Sequence, residues 1–482
     1  MSTWFYALLS LPATAMGFGL SVQISALSWI LSTKYGLSIG DIGIVWAAGP
    51  IAGIIAQPIV GAVSDKLWFM GGRRRPWIIF GGLLTGMMLL ALPNLEIVQK
   101  MLGMEGAAGL LPIAVCVALT LDLSINVSFN PTRSLVADCT TQEQRSKGYT
   151  WMQTVSGTCG VLAYLVAVLW GNETLIYVGM FIAVLFTILP IFFIEEPREL
   201  KAEAADDTEK SAETAATASQ GSVLKDMNNA ILPLYGFLVY GIYVIVAKLF
   251  IPADVIASMP HYLGLNAVEL ACVAIEIVAL LLVLTNTMKV KEDMHEFQKI
   301  LLAHSFTWWG VQTMNVYMFF YVANVISNID AGSAQTVNSM AFLVRDLIGA
   351  ILPVLVLNVI AAKKGMAHTH TGAILAMAIG YGIIYFCGAN IYTFFVALVI
   401  VGIGWASLVS LPFAIMSSRV DQSKMGLYMG IFNLSVVLPQ LVASFKMGEI
   451  IDAAEDKSII FAICAICLLI SGILWIFVKE KK

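Results

Sequence analysis

Residues Gly61–Trp77 read GAVSDKLWFMGGRRRPW, and the placement of this stretch decides the fold. Three consecutive arginines, Arg73, Arg74 and Arg75, join Asp65 and Lys66 in a 482-residue chain that is 59% hydrophobic and only 12% charged. Mean hydropathy is +0.85. Apolar runs of about 20 residues flank the cluster, the length an α-helix needs to cross the hydrocarbon of a bilayer. The charges therefore sit in a connection between two membrane spans. Transmembrane barrels need short alternating segments, and these continuous runs exclude them.

Working outward, hydropathy predicts spans at 4–32, 40–63, 76–95, 107–138, 146–170, 173–194, 230–251, 264–288, 300–325, 335–361, 370–388, 391–416, 425–450 and 458–478, about 14 in all. The first run has no basic flank or small-residue cleavage site, so it reads as a span and not a removable signal. With the N-terminus in the cytoplasm, about 20 of the 27 Lys and Arg fall in cytoplasmic segments, and Lys34, Lys100, Lys248, Lys446 and Lys457 lie towards the other side. Both termini are then cytoplasmic, and the arginines hold the second connection inside. Residues 195–229 read as a cytoplasmic linker, because Glu195–Ser222 is rich in Ala, Glu, Thr and Ser. Six spans precede it and eight follow.

The seven cysteines fall in or at the ends of these helices. Cys464 and Cys467 form a C-x-x-C inside the last apolar run, where small packing residues are expected and a redox pair is not. No phosphate-binding glycine loop, metal-ligand cluster, nucleic-acid-binding patch or cofactor motif is present. His368-Thr-His370 reads as a cytoplasmic loop, too isolated for a metal site.

The spacing of Gly61, Asp65, Lys66, Gly72, Arg73 and Arg74 resembles the loop signature of the major facilitator superfamily. Gly49–Asp65 followed by Gly72–Pro76 looks like the sucrose–proton symporters, which belong with the glycoside–pentoside–hexuronide cation symporters. Met16–Gln23, Asp122–Cys139, Gly404–Ile415 and Lys424–Gln440 are similar to further helices of that branch. The resemblance implies an all-α fold of two six-helix bundles around a central site. It also implies a bacterial sugar transporter of the plasma membrane, monomeric, working by alternating access on a disaccharide or glucoside with a proton. Phe297–Val322 resembles the family's seventh helix yet is the ninth span, so 230–290 reads as an inserted hairpin between bundles 1–194 and 291–482. Two departures stand out. The span-5 arginine of the plant proteins is missing from Thr154–Gly171, and the span-2 aspartates of sodium-coupled members are missing from Ile42–Gly61. An uncoupled facilitator stays open, ahead of a membrane-embedded enzyme or a sensor.

The site residues follow from charge and helical spacing. Asp122 stands near the middle of span 4, where a charge is costly, and is the candidate for proton coupling. Asn126, Asn130 and Arg133 continue its face. On span 9, His304, Trp308, Gln312 and Asn315 form one face, and an aromatic plate beside amides suits a sugar's C–H face and hydroxyl rim. Gln23, Asn126, Trp308, Gln312, Asn315, Trp405, Asn433 and Gln440 are the candidate substrate contacts. Asp65, Lys66, Arg73, Arg74, Arg75 and Arg133 are candidates for a conformational latch. Arg345 and Asp346 are adjacent, so they are expected on different faces. Glu269 and Glu276 share a face of the hairpin that can dock on the main bundle.

Overall fold

A computed structural model describes residues 3–480, apart from 56–59, 61–67, 105, 141, 195, 197–226, 253–254, 257, 263, 328, 330 and 421–424. The described chain is helical almost throughout. In order the helices are α1 (Thr3–Thr33), α2 (Ile39–Ile55), α3 (Arg75–Leu102, with a tight turn at Leu92–Asn94), α4 (Ala107–Cys139), α5 and α6 (together Gln142–Ile188), α7 (Tyr235–Phe250), α8 (Ala267–Leu284), α9 (Glu292–Val325), α10 (Ala331–Leu352, bending into Asn358–Lys364), α11 (Met366–Cys387), α12 (Ile391–Leu408), α13 (Met425–Ala453) and α14 (Ile459–Ile476). A two-residue antiparallel pair, His261–Tyr262 with Leu265–Asn266, closes the turn between α7 and α8.

Ten helices among the described residues are long and apolar enough to cross a membrane, or eleven with the bent α10. The difference from the hydropathy count has three local causes. α5 and α6 run on as a single 47-residue helix whose only non-helical break is Gly171, at φ 85° and ψ 165°. A side chain would resist that conformation, and glycine does not. α2 is short because it is described only to Ile55. α9 is long enough, but histidine, tryptophan and amides lower its apolarity.

Local signals set the helix starts. Ser38 accepts from Asp41 N at 3.1 Å ahead of α2. Asn266 and Glu269 form a capping box at α8, and Asn390 caps α12.

The chain forms two compact units. The first holds residues 1–201 and 315–350. In it α1 packs along α5 and α6, and α3 packs on α4. Gly82 of α3 has no room for a β-carbon against Thr187 of α6, so backbone and side chain meet directly.

The second unit holds residues 202–314 and 351–482. Here α11 lies against α12 and α14, and Gly404 of α12 has no room for a β-carbon against Met377. The hairpin helices α7 and α8 pack on each other, and α7 also packs on α13. The two hairpin carboxylates separate. Glu269 joins Lys446 of α13 at 2.9 Å in a buried ion pair, whereas Glu276 turns back within the hairpin and accepts from Gly236 N at 3.0 Å.

Candidate functional site

In the first unit the central carboxylate is Asp122 of α4, 6% exposed. Gln23 of α1, also buried, donates Nε2–H to Asp122 Oδ2 at 3.0 Å. Asn126, one turn along α4, donates to the Asp122 carbonyl at 2.9 Å. Gly49 of α2 faces the carboxylate, and a β-carbon there would stand 3.4 Å from Oδ2. No lysine, arginine or histidine among the described residues lies within ion-pair distance of Asp122.

Arg345 of α10 is fully buried, a costly position for a charge. Its Nε donates to Asp346 Oδ1 and its Nη1 to Asn315 Oδ1, both at 2.6 Å, and its guanidinium lies 4.9 Å from the Phe342 ring centre. The neighbours expected on different faces are therefore paired with each other: the long Arg345 side chain folds back to the shorter Asp346. Asn315 belongs with this arginine in the first unit and not with Trp308 and Gln312 in the second.

A second buried polar group in this unit centres on Ser25 and Ser28, the serines near Gln23 on α1, whose partners the sequence does not indicate. Ser25 donates to Asn172 Oδ1 at 3.0 Å and shares a 2.8 Å hydrogen bond with Ser339. Ser28 donates to the Val316 carbonyl at 2.7 Å and accepts from Trp46 Nε1 at 2.8 Å. Single serines and asparagines on apolar helices look like packing residues until their partners are known.

The second unit gathers most of the expected sugar contacts. Trp308 of α9 meets Trp405 of α12 edge to face, ring centres 6.4 Å apart. Trp308 Nε1–H donates to His304 Nε2 at 2.9 Å, and His304 stacks on Phe432 of α13 at 4.6 Å. Gln440 of α13 donates to Gln312 Oε1 at 3.3 Å, and Asn433 lies half-buried on the same helix. One stretch of α9 thus meets an indole of α12 and an amide of α13. A sugar needs such a set, with flat apolar plates and convergent donors and acceptors. His370 is corrected by the fold. α11 begins at Met366, so His370 is a helix residue with no exposed surface, hydrogen-bonded to Ser407 at 2.7 Å and packed edge-on against Trp475. No group of histidines, cysteines and carboxylates among the described residues could hold a metal ion.

Of the latch residues, Asp65 and Lys66 lie outside the described residues. The arginines meet an unforeseen partner. The Glu196 carboxylate, just beyond α6, accepts from the backbone N–H groups of Arg73, Arg74 and Arg75, the last two at 2.7 and 3.2 Å. Arg74 is the N-cap and Arg75 the first residue of α3, so the carboxylate meets the N-terminal donors of the helix and the positive end of its dipole. Arg74 Nε adds an ion pair to Asp138 Oδ2 at 3.3 Å, and Arg73 lies over the Trp68 ring. Cys139 sits beside them, and burial pushes its thiol up to about 12, with Asp138 and Glu196 adding to the shift. Arg133 stays apart, exposed and stacked on Phe129 at 4.3 Å. The signal for Glu196 was present in the Glu-Glu-Pro-Arg that ends the first six spans. A carboxylate just past a helix, facing another helix's free N–H groups, is a capping pattern across sequence distance.

Similarity to known proteins agrees with this architecture. The chain is 28% identical over 182 residues to the general alpha-glucoside permease of Schizosaccharomyces pombe, a match covering 33% of this chain and 32% of the permease. It is 29% identical over 143 residues to a sucrose transport protein of Arabidopsis thaliana, covering 28% and 24%. The matches thus span about a third or less of these relatives' lengths. In three dimensions the chain is similar to a xylose transporter from E. coli, with TM-score 0.63, 15% identity and coverage of 99% and 96%. It is also similar to a nucleoside transporter, with TM-score 0.65, 9% identity and coverage of 99% and 100%. The Major Facilitator Superfamily pattern matches residues 9–444, nearly the whole of the helical array just described, and the chain belongs to that family.

Proposed function

We propose that this member of the Major Facilitator Superfamily is a sugar transporter, a proton-coupled symporter for a disaccharide or other glucoside, working by alternating access. One observation carries the coupling. Asp122 is buried without a cationic partner among the described residues, and the side chain bonded to it is Gln23, a candidate sugar contact. Gain or loss of a proton at Asp122 changes what Gln23 can offer a hydroxyl: the carboxylate only accepts, and the carboxylic acid also donates. Proton and sugar then act on one hydrogen-bonded pair. Asn126 lies one turn along α4. Trp308, Gln312, Trp405, Asn433 and Gln440 supply the aromatic and amide contacts, and Asn315 acts through Arg345.

The names of the relatives support a glucoside. The distribution of Lys and Arg supports cytoplasmic termini in a plasma membrane, with residues 230–290 as an inserted hairpin. Arg73–Arg75 with Glu196 and Asp138 form the part of the latch that the described residues contain, and the latch acts on conformational exchange.

Uptake of a panel of labelled disaccharides and glucosides into proteoliposomes under an imposed pH gradient tests the reading. Accumulation above the external concentration is expected for wild type. For Asp122→Asn, accumulation is lost and counterflow exchange survives, because the amide keeps size and hydrogen bonding. Equilibration without accumulation in wild type would make the protein a facilitator. Undiminished accumulation by Asp122→Asn would move the proton elsewhere.

A further inference from the structure

At the helix ends of the second unit the structure holds an open cavity of about 950 Å³. The start of α9, the end of the α10 extension, the start of α11, the segment after α12 and the chain following α14 all line it. None of the sugar or proton candidates does.

Its charge is unbalanced. Lys291, Lys364, Arg419 and Lys479 line it against Glu292, Asp293 and Glu480. Two of those carboxylates are already engaged. Asp293 accepts from Arg419 Nη1 at 3.0 Å, and Glu480 accepts from Met366 N at 3.0 Å. Lys291, Lys364 and Lys479 are exposed and have no ion-pair partner among the described residues.

Arg419 is the decisive residue. It is only 7% exposed. Its Nη2 donates to the Lys479 carbonyl at 2.7 Å, yet its Nε–H is buried without any partner among the described residues. A buried guanidinium donor left unmet is unfavourable unless something accepts from it. One unmet arginine N–H together with three exposed lysines around an open cavity fits a phosphate group, whose oxygens accept several charged hydrogen bonds at once. The volume also admits the polar body attached to a phosphate.

We propose that this cavity binds a phosphate-bearing anion, with Arg419 as its fixed anchor and Lys291, Lys364 and Lys479 as its mobile cations. Two sources share that chemistry: the headgroup of an anionic phospholipid, and a soluble phosphate. Basic pockets at the membrane border hold anionic headgroups by these same contacts.

Thermal unfolding of the purified full chain tests the site. One arm compares nanodiscs of phosphatidylcholine alone with nanodiscs containing a quarter phosphatidylglycerol. The other titrates inorganic phosphate against chloride at equal ionic strength in neutral detergent. A rise in Tm of about 2–4 °C is expected in at least one arm. A rise in the first arm alone assigns a lipid, and a rise in the second assigns a soluble anion. The variant Lys364→Gln/Lys479→Gln alters only exposed side chains and keeps the Lys479 backbone contacts, so it should fold and lose at least half of the rise. Lys100→Gln/Lys248→Gln removes the same charge elsewhere and should keep it. No rise in either arm for wild type, an unchanged rise in the first variant, or an equal loss in both variants would overturn the proposal.

Discussion

Removing the Glu196 carboxylate should loosen the start of α3 by a calculable amount. In the wild-type protein this half-buried group accepts from three successive backbone N–H groups, those of residues 73 to 75. Glu196→Ala removes this shared acceptor from all three. Loss of a side-chain cap costs about 1–2 kcal/mol, and loss of the charge at the helix's positive end adds about 0.3–1 kcal/mol. A total near 2 kcal/mol raises the population of the locally opened turn about 30-fold. Glu196→Gln keeps one accepting oxygen and loses the charge, so about 1 kcal/mol and a 5-fold effect are expected. Hydrogen–deuterium exchange in detergent reads this directly. A peptide over residues 70–80 should exchange faster in the order wild type, Gln, Ala, while one over residues 84–90 stays unchanged. Equal exchange of the first peptide in all three proteins would show that the carboxylate does not hold the turn. The reasoning would fail there even if transport were altered.

Three other outcomes are expected. Trp308→Ala removes both the aromatic plate and the donor to His304, and should weaken sugar binding about 10-fold, near 1.4 kcal/mol; unchanged affinity by calorimetry would take Trp308 out of the site. Glu269→Gln leaves the buried Lys446 with Glu449 alone and should cost about 3 kcal/mol of stability, whereas Glu269→Gln/Lys446→Met should recover most of it; equal Tm values for the two variants would refute the pair's role. With a thiol pushed up to about 12, Cys139 is about 10⁻⁴ ionised at pH 8, and its alkylation should run about 1000-fold slower than that of an unperturbed thiol near 9, so rapid labelling at pH 8 would contradict its burial.

The helices were legible because bilayer length and apolarity act on each segment separately. Asp122 and Gln23 were legible one at a time, as costly polar groups on apolar helices, but their 99-residue separation hid the hydrogen bond that joins them. Trp308, Gln312 and His304 share a face by spacing alone, and helical periodicity supplied that group. Glu196, Asn172 and Ser339 were missed because their partners come from distant helices, and no local pattern marks such pairs. His370 was misplaced by a few residues of helix boundary, since Gly365 ends one helix and Met366 begins the next without a loop. Arg345 and Asp346 failed a simple rule of faces because a long side chain can reach its own neighbour.

The Glu269–Lys446 pair also sets an order of events during biosynthesis. Glu269 leaves the ribosome 177 residues before Lys446, which at typical elongation rates is an interval of roughly 10–35 s. Throughout that time Glu269 lacks the counter-ion that it has in the finished fold. Its carboxylate must stay at the aqueous border, because an unpaired charge in hydrocarbon is too costly. Insertion of α8 at its final depth therefore waits for α13. The hairpin is early in the chain and late in assembly, and a nascent protein stalled before residue 446 would present it to the membrane's quality-control proteases as an unfinished span.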